Sequence, residues 1–243
     1  MHNIGALSGS LFLALFLHGF SMASPTLVQS VKCQDWRNYL DTYQCSFNET
    51  TRAGSAIIAF VLVSGRADMA VTGVSDDRTP SSNAYVEDLH YLFGDLQSIY
   101  FFSVAGAGAA QAVTIKASDS THFQVVLMEV SGLALSNHLK DRASTYDNGY
   151  NGGRTFTSGV TQRTTQPDEF LVGWSEQIYP NVMSFTDDPP WTLVEQQPLG
   201  GSRIAYRTTT TQGTFAYTGR FSGTGEYRVG AAIVTYRAST AKE

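Results

Sequence analysis

The chain has 243 residues, of which 15% are charged, and its formal net charge is −5. Its 16 Lys and Arg residues are scattered along the sequence, whereas nucleic-acid binding requires clustered cations that neutralise phosphates. The composition therefore disfavours a nucleic-acid partner. Because a typical domain is about 25% charged, much of the polar surface must come from Thr, Ser, Asn, Gln and Gly, as is common where strands face solvent.

The N-terminus has the pattern of an export signal. An apolar stretch at residues 11–20 is followed by a small-x-small sequence at 21–23, and the stretch is shorter than the roughly 20 residues that cross a bilayer. We therefore predict a signal peptide over 1–23 and a mature β-sandwich domain over 24–243. The alternative is a buried N-terminal strand, because the first residues contain no Lys or Arg. No later apolar run is long enough for a membrane span.

The two cysteines, Cys33 and Cys45, are the only ones in the chain. In an exported protein an even count favours a disulfide, which would staple a segment without a clean strand period. The alternative is two free thiols. A metal pair is disfavoured because no further Cys is available and no His lies nearby.

Strand-like segments follow one another at short spacing, separated by Gly, Pro, Asn and Asp. They lie at 26–31, 43–47, 55–63, 70–74, 97–104, 111–117, 122–131, 155–160, 169–175, 191–196, 203–209, 214–221 and 227–237. Residues 55–63 are continuously apolar, which is typical of a central strand buried on both faces. The Gly-rich residues 105–110 predict a hairpin between their two flanking strands. Residues 83–93 have room for a helical turn, and we interpret them as part of an elaborated loop.

Several of these segments, taken in order, carry a resemblance. They are 27–29, 54–63, 71–76, 99–102, 125–133, 168–173 and 231–236. This order resembles a widespread family of secreted bacterial β-sandwich surface proteins of the jelly-roll, lectin-like kind. The resemblance implies secretion and the sandwich fold, and it brings no catalytic residues. The Cys33–Cys45 segment and the long excursion after Asp76 depart from the family pattern.

We therefore predict an all-β fold, a single antiparallel two-sheet sandwich of about a dozen strands, jelly-roll-like. Evenly spaced, β-branched and aromatic strands with turn residues between them are typical of this class.

Aromatic side chains in predicted loops are the first candidates for ligand binding, because sugar rings stack on aromatic faces. The candidates are Trp36, Tyr146, Tyr150, Tyr179 and Trp191, with Tyr39 as a further loop aromatic. A large sandwich core also needs many aromatic residues, so a core role is the alternative for each. Trp174 lies within an apolar strand and is predicted to be core.

Calcium is the one cofactor that the sequence leaves open, because hard cations bind carboxylates and carbonyls of loops. The candidate ligands are Asp147, Asn148 and Asn151, and the pairs at 76–77 and 187–188 are further possibilities. Each is also an ordinary turn sequence. Asn48 begins the triplet Asn-Glu-Thr, a candidate glycosylation site.

Catalytic motifs are weak. The string Gly-Trp-Ser-Glu-Gln at 173–177 lacks the final Gly of a nucleophile elbow. A glycosidase needs two carboxylates across a cleft, and Glu129, Glu169 and Glu226 lie in or beside strands without a paired motif. Glu129 is more simply explained as a structural or solvent-facing carboxylate.

The sequence thus favours a secreted, non-catalytic module that binds extracellular glycan or other cell-surface material. Two alternatives stay open. One is a structural or adhesive subunit that assembles with copies of itself through strand edges. The other is a carbohydrate-active enzyme, which requires two close carboxylates, one with a raised pKa.

Overall fold

The computed structural model describes residues 24–65, 68–93, 97–136, 138–147, 155–178, 182–188, 190–196, 201–223 and 228–240. These residues form 14 strands and no helix. The strands are β1 (Thr26–Ser46), β2 (Ala56–Ser64), β3 (Val71–Asp76), β4 (Val86–Phe93), β5 (Gln97–Val104), β6 (Ala112–Ser131), β7 (Leu139–Asp147), β8 (Thr155–Thr157), β9 (Phe170–Ile178), β10 (Val182–Asp187), β11 (Thr192–Gln196), β12 (Arg203–Thr208), β13 (Thr218–Gly223) and β14 (Arg228–Tyr236).

All recorded strand pairs are antiparallel, so the predicted all-β, antiparallel class is confirmed. The jelly-roll description and the single-domain assignment stay predictions. The predicted signal peptide, 1–23, lies outside the described residues.

The first half of the chain, residues 24–134, folds one sheet over on itself. Its strands lie in the order β1-β6-β2-β5-β4, and β3 also pairs with β6. Cys33 and Cys45 are 12 residues apart in β1, yet their Cα atoms are 5.5 Å apart, whereas an extended strand would separate them by about 40 Å. β1 therefore bends sharply. Residues 40–46 of β1, 112–121 of β6 and β3 form an outer layer, and the other strand segments form an inner layer.

The predicted disulfide Cys33–Cys45 is present and joins the two arms of bent β1. A covalent loop of this length stabilises the fold by about 3 kcal/mol in the chain-entropy model. The bond therefore fixes the bend that separates the inner from the outer layer.

The second half, residues 138–240, repeats the same pairing order. Its inner layer has the order β7-β14-β9-β12-β11, and its outer layer has the order β8-β13-β10. β7 and β8 take the places of the two arms of β1, and β13 and β14 take those of the two arms of β6. The two halves are thus two copies of one strand arrangement.

Hydrogen bonds beside the outer layers repeat as well. In the first half the N–H of Thr51 donates to the carbonyl of Ala110 at 2.9 Å, and the N–H of Ala110 donates to Thr51 Oγ1 at 3.0 Å. In the second half Thr161 and Phe215 exchange the same two bonds at 2.9 and 3.0 Å. The repetition therefore extends from strand order to individual contacts.

The two inner layers pack face to face, and each also packs against its own outer layer. This gives four layers, more than the two sheets expected, with three hydrophobic cores between them. Phe60 of β2 stacks on Trp174 of β9 in the central core, with ring centroids 6.2 Å apart. β2 is buried on both faces, as predicted for residues 55–63, and the predicted core position of Trp174 is confirmed.

Two local predictions about the first half of the chain are wrong. Residues 86–93 form strand β4, not a loop, because pairing with β5 overrides the weak local pattern. β5 and β6 do not form a hairpin. β5 lies between β2 and β4, while the start of β6 belongs to the outer layer, so residues 105–110 cross between layers.

The packing of Tyr217 over β9 generates a stability prediction. A Cβ on Gly173 would lie 2.3 Å from Cγ of the buried Tyr217, whereas a Cβ on Gly73 in β3 would meet nothing within 4 Å. We expect Gly173→Ala to lower the free energy of unfolding by about 1–3 kcal/mol through overpacking, and Gly73→Ala to change it little. Urea unfolding of both variants measures this, and equal effects would contradict the packing argument.

Candidate functional site

Two exposed aromatic side chains and a histidine form a surface at the bend of β1. The pairing of β1 with β6 is irregular between Asp35 and Leu40. Within this interruption, Trp36 is 38% exposed and Tyr39 is 62% exposed. His122 of β6 lies beside them, with its ring centroid 4.1 Å from that of Tyr39 and 6.0 Å from that of Trp36. We call Trp36, Tyr39 and His122 the aromatic face.

Local hydrogen bonds hold the aromatic face in place. Asp35 Oδ1 accepts the backbone N–H groups of Arg37 at 2.8 Å and Asn38 at 2.9 Å, and Asp35 Oδ2 accepts the Asn38 side-chain amide at 2.9 Å. These bonds, led by the one from the Asn38 side chain, lower the pKa of Asp35, so its carboxylate stays ionised. The disulfide closes the base of the same segment. The aromatic side chains are therefore presented from a braced turn.

Of the other predicted binding residues, Trp191 is partly buried. Its ring meets that of Tyr217 edge-on at 4.7 Å, against the core of the second half. Trp36 and Trp191 thus belong to opposite ends of the layer stack and do not form one site. Tyr146 lies in β7 opposite Gly230 and not in a loop. Tyr150 and Tyr179 lie outside the described residues.

The proposed calcium ligands are only partly described. Asp147 ends β7 opposite Val229, while Asn148 and Asn151 lie outside the described ranges. Across the part of the chain that the structure describes, no group of three or more His, Cys, Asp or Glu side chains has the arrangement of a metal site. Calcium binding at 147–151 stays a prediction.

The first aspartate of each Asp-Asp pair is occupied by protein donors. Asp76 Oδ2 accepts the Asn83 amide at 2.6 Å and the Tyr85 hydroxyl at 3.0 Å. Asp187 accepts two N–H groups of Arg203, both at 2.7 Å, and the Tyr217 hydroxyl at 2.7 Å. These contacts give both carboxylates structural roles.

Three buried carboxylates, those of Glu129, Glu176 and Asp88, are held by protein hydrogen-bond donors. Glu129 accepts the Gln29 amide at 2.8 Å and the Arg52 backbone N–H at 2.7 Å, so it is structural. Burial raises the pKa of Glu176 to about 7 and that of Asp88 to about 6. The hydroxyl of Ser202 donates to Glu176 at 2.8 Å, and the hydroxyl of Tyr236 donates to Asp88 at 2.8 Å. Both side chains are buried, with Asp88 1% exposed and Glu176 6% exposed.

A serine and a histidine meet where the two halves join. Ser103 Oγ is 2.7 Å from Nε2 of His138. Ser103 is fully buried, and it also hydrogen-bonds the carboxylate of Asp88. Burial also lowers the pKa of His138. This buried cluster therefore joins the two halves.

Sequence reasoning identified Trp36 and Tyr39 but missed the third member of the face. His122 is distant in sequence and joins them only through the pairing of β6 with β1. Asp35 and Asn38 carried a local signal, since an Asp followed by Asn three positions later is typical of a side-chain-stabilised turn.

No protein-family model, curated protein sequence or solved structure matches this chain. Among the described residues, no helix is long and apolar enough to cross a membrane.

Glu176 generates a pH prediction. Its folded pKa of about 7 lies above the ordinary 4.5, so the stability linked to its neutral form is fully present below about pH 4.5 and is lost as pH rises through 7. Between pH 4 and 8 the wild type should lose about 3 kcal/mol relative to Glu176→Gln. Thermal unfolding of both proteins across this range measures the difference. Glu49→Gln, which changes an exposed glutamate, is the control. If the stability of Glu176→Gln varies with pH in parallel with that of the wild type, Glu176 is not the source of the pH dependence.

Proposed function

We propose that the protein is a secreted, non-catalytic module that binds extracellular glycan or cell-surface material through the aromatic face. The supporting observation is the exposure of Trp36 and Tyr39 side by side around His122. Because these aromatic side chains are exposed, a ligand that covers them buries a large apolar surface. Because the turn is already held in place, binding loses little conformational entropy.

The chemistry around the aromatic face suits a sugar. The apolar C–H faces of a pyranose stack on aromatic rings, and each buried aromatic contributes a large contact area. Arg37 and Asn38 are exposed at the rim, where they offer donors and acceptors to hydroxyl groups. The face thus combines stacking with hydrogen bonding, the two components of glycan recognition.

Secretion is part of the proposal. The predicted signal peptide over 1–23 directs the chain out of the cell, and the disulfide Cys33–Cys45 is compatible with an oxidising compartment. The resemblance to secreted bacterial β-sandwich surface proteins points the same way. Asn48 is exposed in the turn after β1, where a glycosylating host could modify it.

A second candidate function is self-assembly, and one observation favours it. β4 and β11 are the edge strands of the two inner layers, and they occupy equivalent places in the two halves. Val86 and Leu92 of β4 are 57% and 49% exposed, and Leu193 of β11 is 45% exposed. Exposed apolar edge strands template pairing with another chain.

Light scattering coupled to size-exclusion chromatography separates the two candidate functions. A monomer supports the binding module alone. A concentration-dependent or polydisperse assembly that Leu92→Lys disrupts supports the structural subunit, because a charge on an edge strand blocks edge-to-edge pairing.

The aromatic face generates a binding prediction. Trp36→Ala and Tyr39→Ala should each weaken binding to a glycan identified on an array of oligosaccharides by about tenfold or more, because each removes a stacking surface. Tyr39→Phe keeps the ring and should retain most of the affinity. Val160→Ala, which truncates an apolar residue that is 66% exposed elsewhere, is the matched control.

Isothermal titration calorimetry provides the measurement. If Trp36→Ala and Tyr39→Ala bind the array ligand as tightly as Val160→Ala does, the aromatic face is not the site. If the array shows no ligand for the wild type, the glycan-binding function itself is rejected.

A further inference from the structure

A polar depression lies at the far end of the outer layer from the aromatic face. Strand segment 40–46 of β1 runs between the two places, a length of about 20 Å at about 3.3 Å per residue. The depression has a volume of about 360 Å³ and is lined by Thr50, the 77–79 segment and residues 109–111. This volume lies within the usual range for small-molecule sites.

The floor of the depression is fixed by hydrogen bonds. Ala110 exchanges bonds with Thr51, whose hydroxyl also donates to the Ala110 carbonyl at 2.9 Å. Asp77 Oδ1 accepts the backbone N–H groups of Gln111 at 2.8 Å and Ala112 at 3.1 Å. Three separate chain segments are therefore held in one geometry, so a ligand would meet a preformed surface.

Arg78 forms one wall of the depression, and contacts on the side facing the protein hold it in place. Its side chain crosses Gly108 so closely that a Cβ there would lie 2.0 Å from Arg78 Nε. Arg78 Nη1 donates to Asn83 Oδ1 at 3.2 Å, and this oxygen also accepts the Gly108 N–H at 2.8 Å. Asn83 is 6% exposed, and its amide is held by Asp76 at 2.6 Å.

A surface arginine that serves only solubility does not need such a set of hydrogen bonds. A buried Asn, a carboxylate and the Tyr85 hydroxyl bonded to it form a chain of polar groups that ends on the guanidinium. Polar groups arranged behind a half-exposed charged side chain are how proteins preorganise a binding residue. Asn83 accepts one of the five N–H donors of the Arg78 guanidinium, and the planar group has further donors to offer a ligand.

The chemistry of the lining indicates the ligand class. A guanidinium fork pairs with a planar carboxylate through two parallel hydrogen bonds. Thr50, Thr79, Gln111 and the carboxylate of Asp77 provide partners for hydroxyl groups. We propose that this depression binds an acidic sugar, a uronic acid, with its carboxylate on Arg78 and its hydroxyl groups on the other lining residues. The site is separate from the aromatic face and does not depend on it.

The test is an NMR titration of the full chain with glucuronate and, separately, with glucose. Glucuronate should bind at least about tenfold more tightly than glucose, because only it offers a charged partner for Arg78. Arg78→Lys keeps the charge but loses the fork, and should weaken glucuronate binding by about tenfold. Arg220→Ala, which removes an exposed arginine of β13, should bind as the wild type does.

Arg78→Ala should abolish the preference for glucuronate, and its thermal midpoint shows whether it is folded. If Arg78→Ala fails to fold, Arg78→Lys decides the question, since it keeps the stem against Gly108. Absent glucuronate binding, equal affinity for glucose, or unchanged binding by Arg78→Lys would each overturn the proposal.

The same titration on Trp36→Ala keeps the two proposals apart. This variant should bind glucuronate normally, because the aromatic face lies at the other end of the layer. Repeating the titration with a short uronate oligosaccharide shows whether the site prefers a uronate unit of a polysaccharide or the free sugar acid. Loss of glucuronate binding in Trp36→Ala would place the acidic sugar on the aromatic face and overturn this assignment.

Discussion

The structure depends on two inner layers that are buried on both faces. Every residue of β2 up to Val63 is buried, and in β9 residues 170–177 are buried as well. A strand in this position cannot alternate apolar and polar residues, because neither face meets water. Any polar group placed there must find a partner or remain neutral, which explains why Glu176 bonds Ser202 and has its pKa raised to about 7 by burial.

The bend in β1 links this layered construction to the candidate binding surface. An inner layer needs an outer layer to cover its second face, and the first half provides one by folding β1 and β6 over. At such a fold the regular pairing is interrupted, and the residues released from it, Trp36 and Tyr39, project from the surface. The disulfide Cys33–Cys45 fixes the same bend. Layer formation and the exposure of the candidate binding surface therefore rest on one geometric feature.

Polar contacts accompany the hydrophobic core where the two halves meet. Along one edge Tyr236 bonds Asp88, and Ser103 bonds His138. Along the opposite edge Lys32 of β1 pairs with Glu195 of β11 at 2.7 Å. Hydrogen-bonded contacts have strict geometry, unlike apolar packing, which tolerates sliding. They are suited to fixing how one half docks on the other.

The sequence by itself determined the all-β class, most strand positions, the doubly buried strand at 55–63 and the disulfide, because these follow from local residue types and from cysteine chemistry. It did not reveal β4, β7 or β10, the repeated strand order, or the meeting of His122 with Trp36 and Tyr39. Strand order depends on which strand edges pair, and many different sequences allow the same pairing. The two halves therefore share contacts, such as those of Thr51 and Thr161, although their sequences show no obvious repeat. Only the tertiary structure brings together residues that are distant along the chain. The backbone hydrogen bonds that align them are the same for every residue type, so the sequence does not show which strands pair.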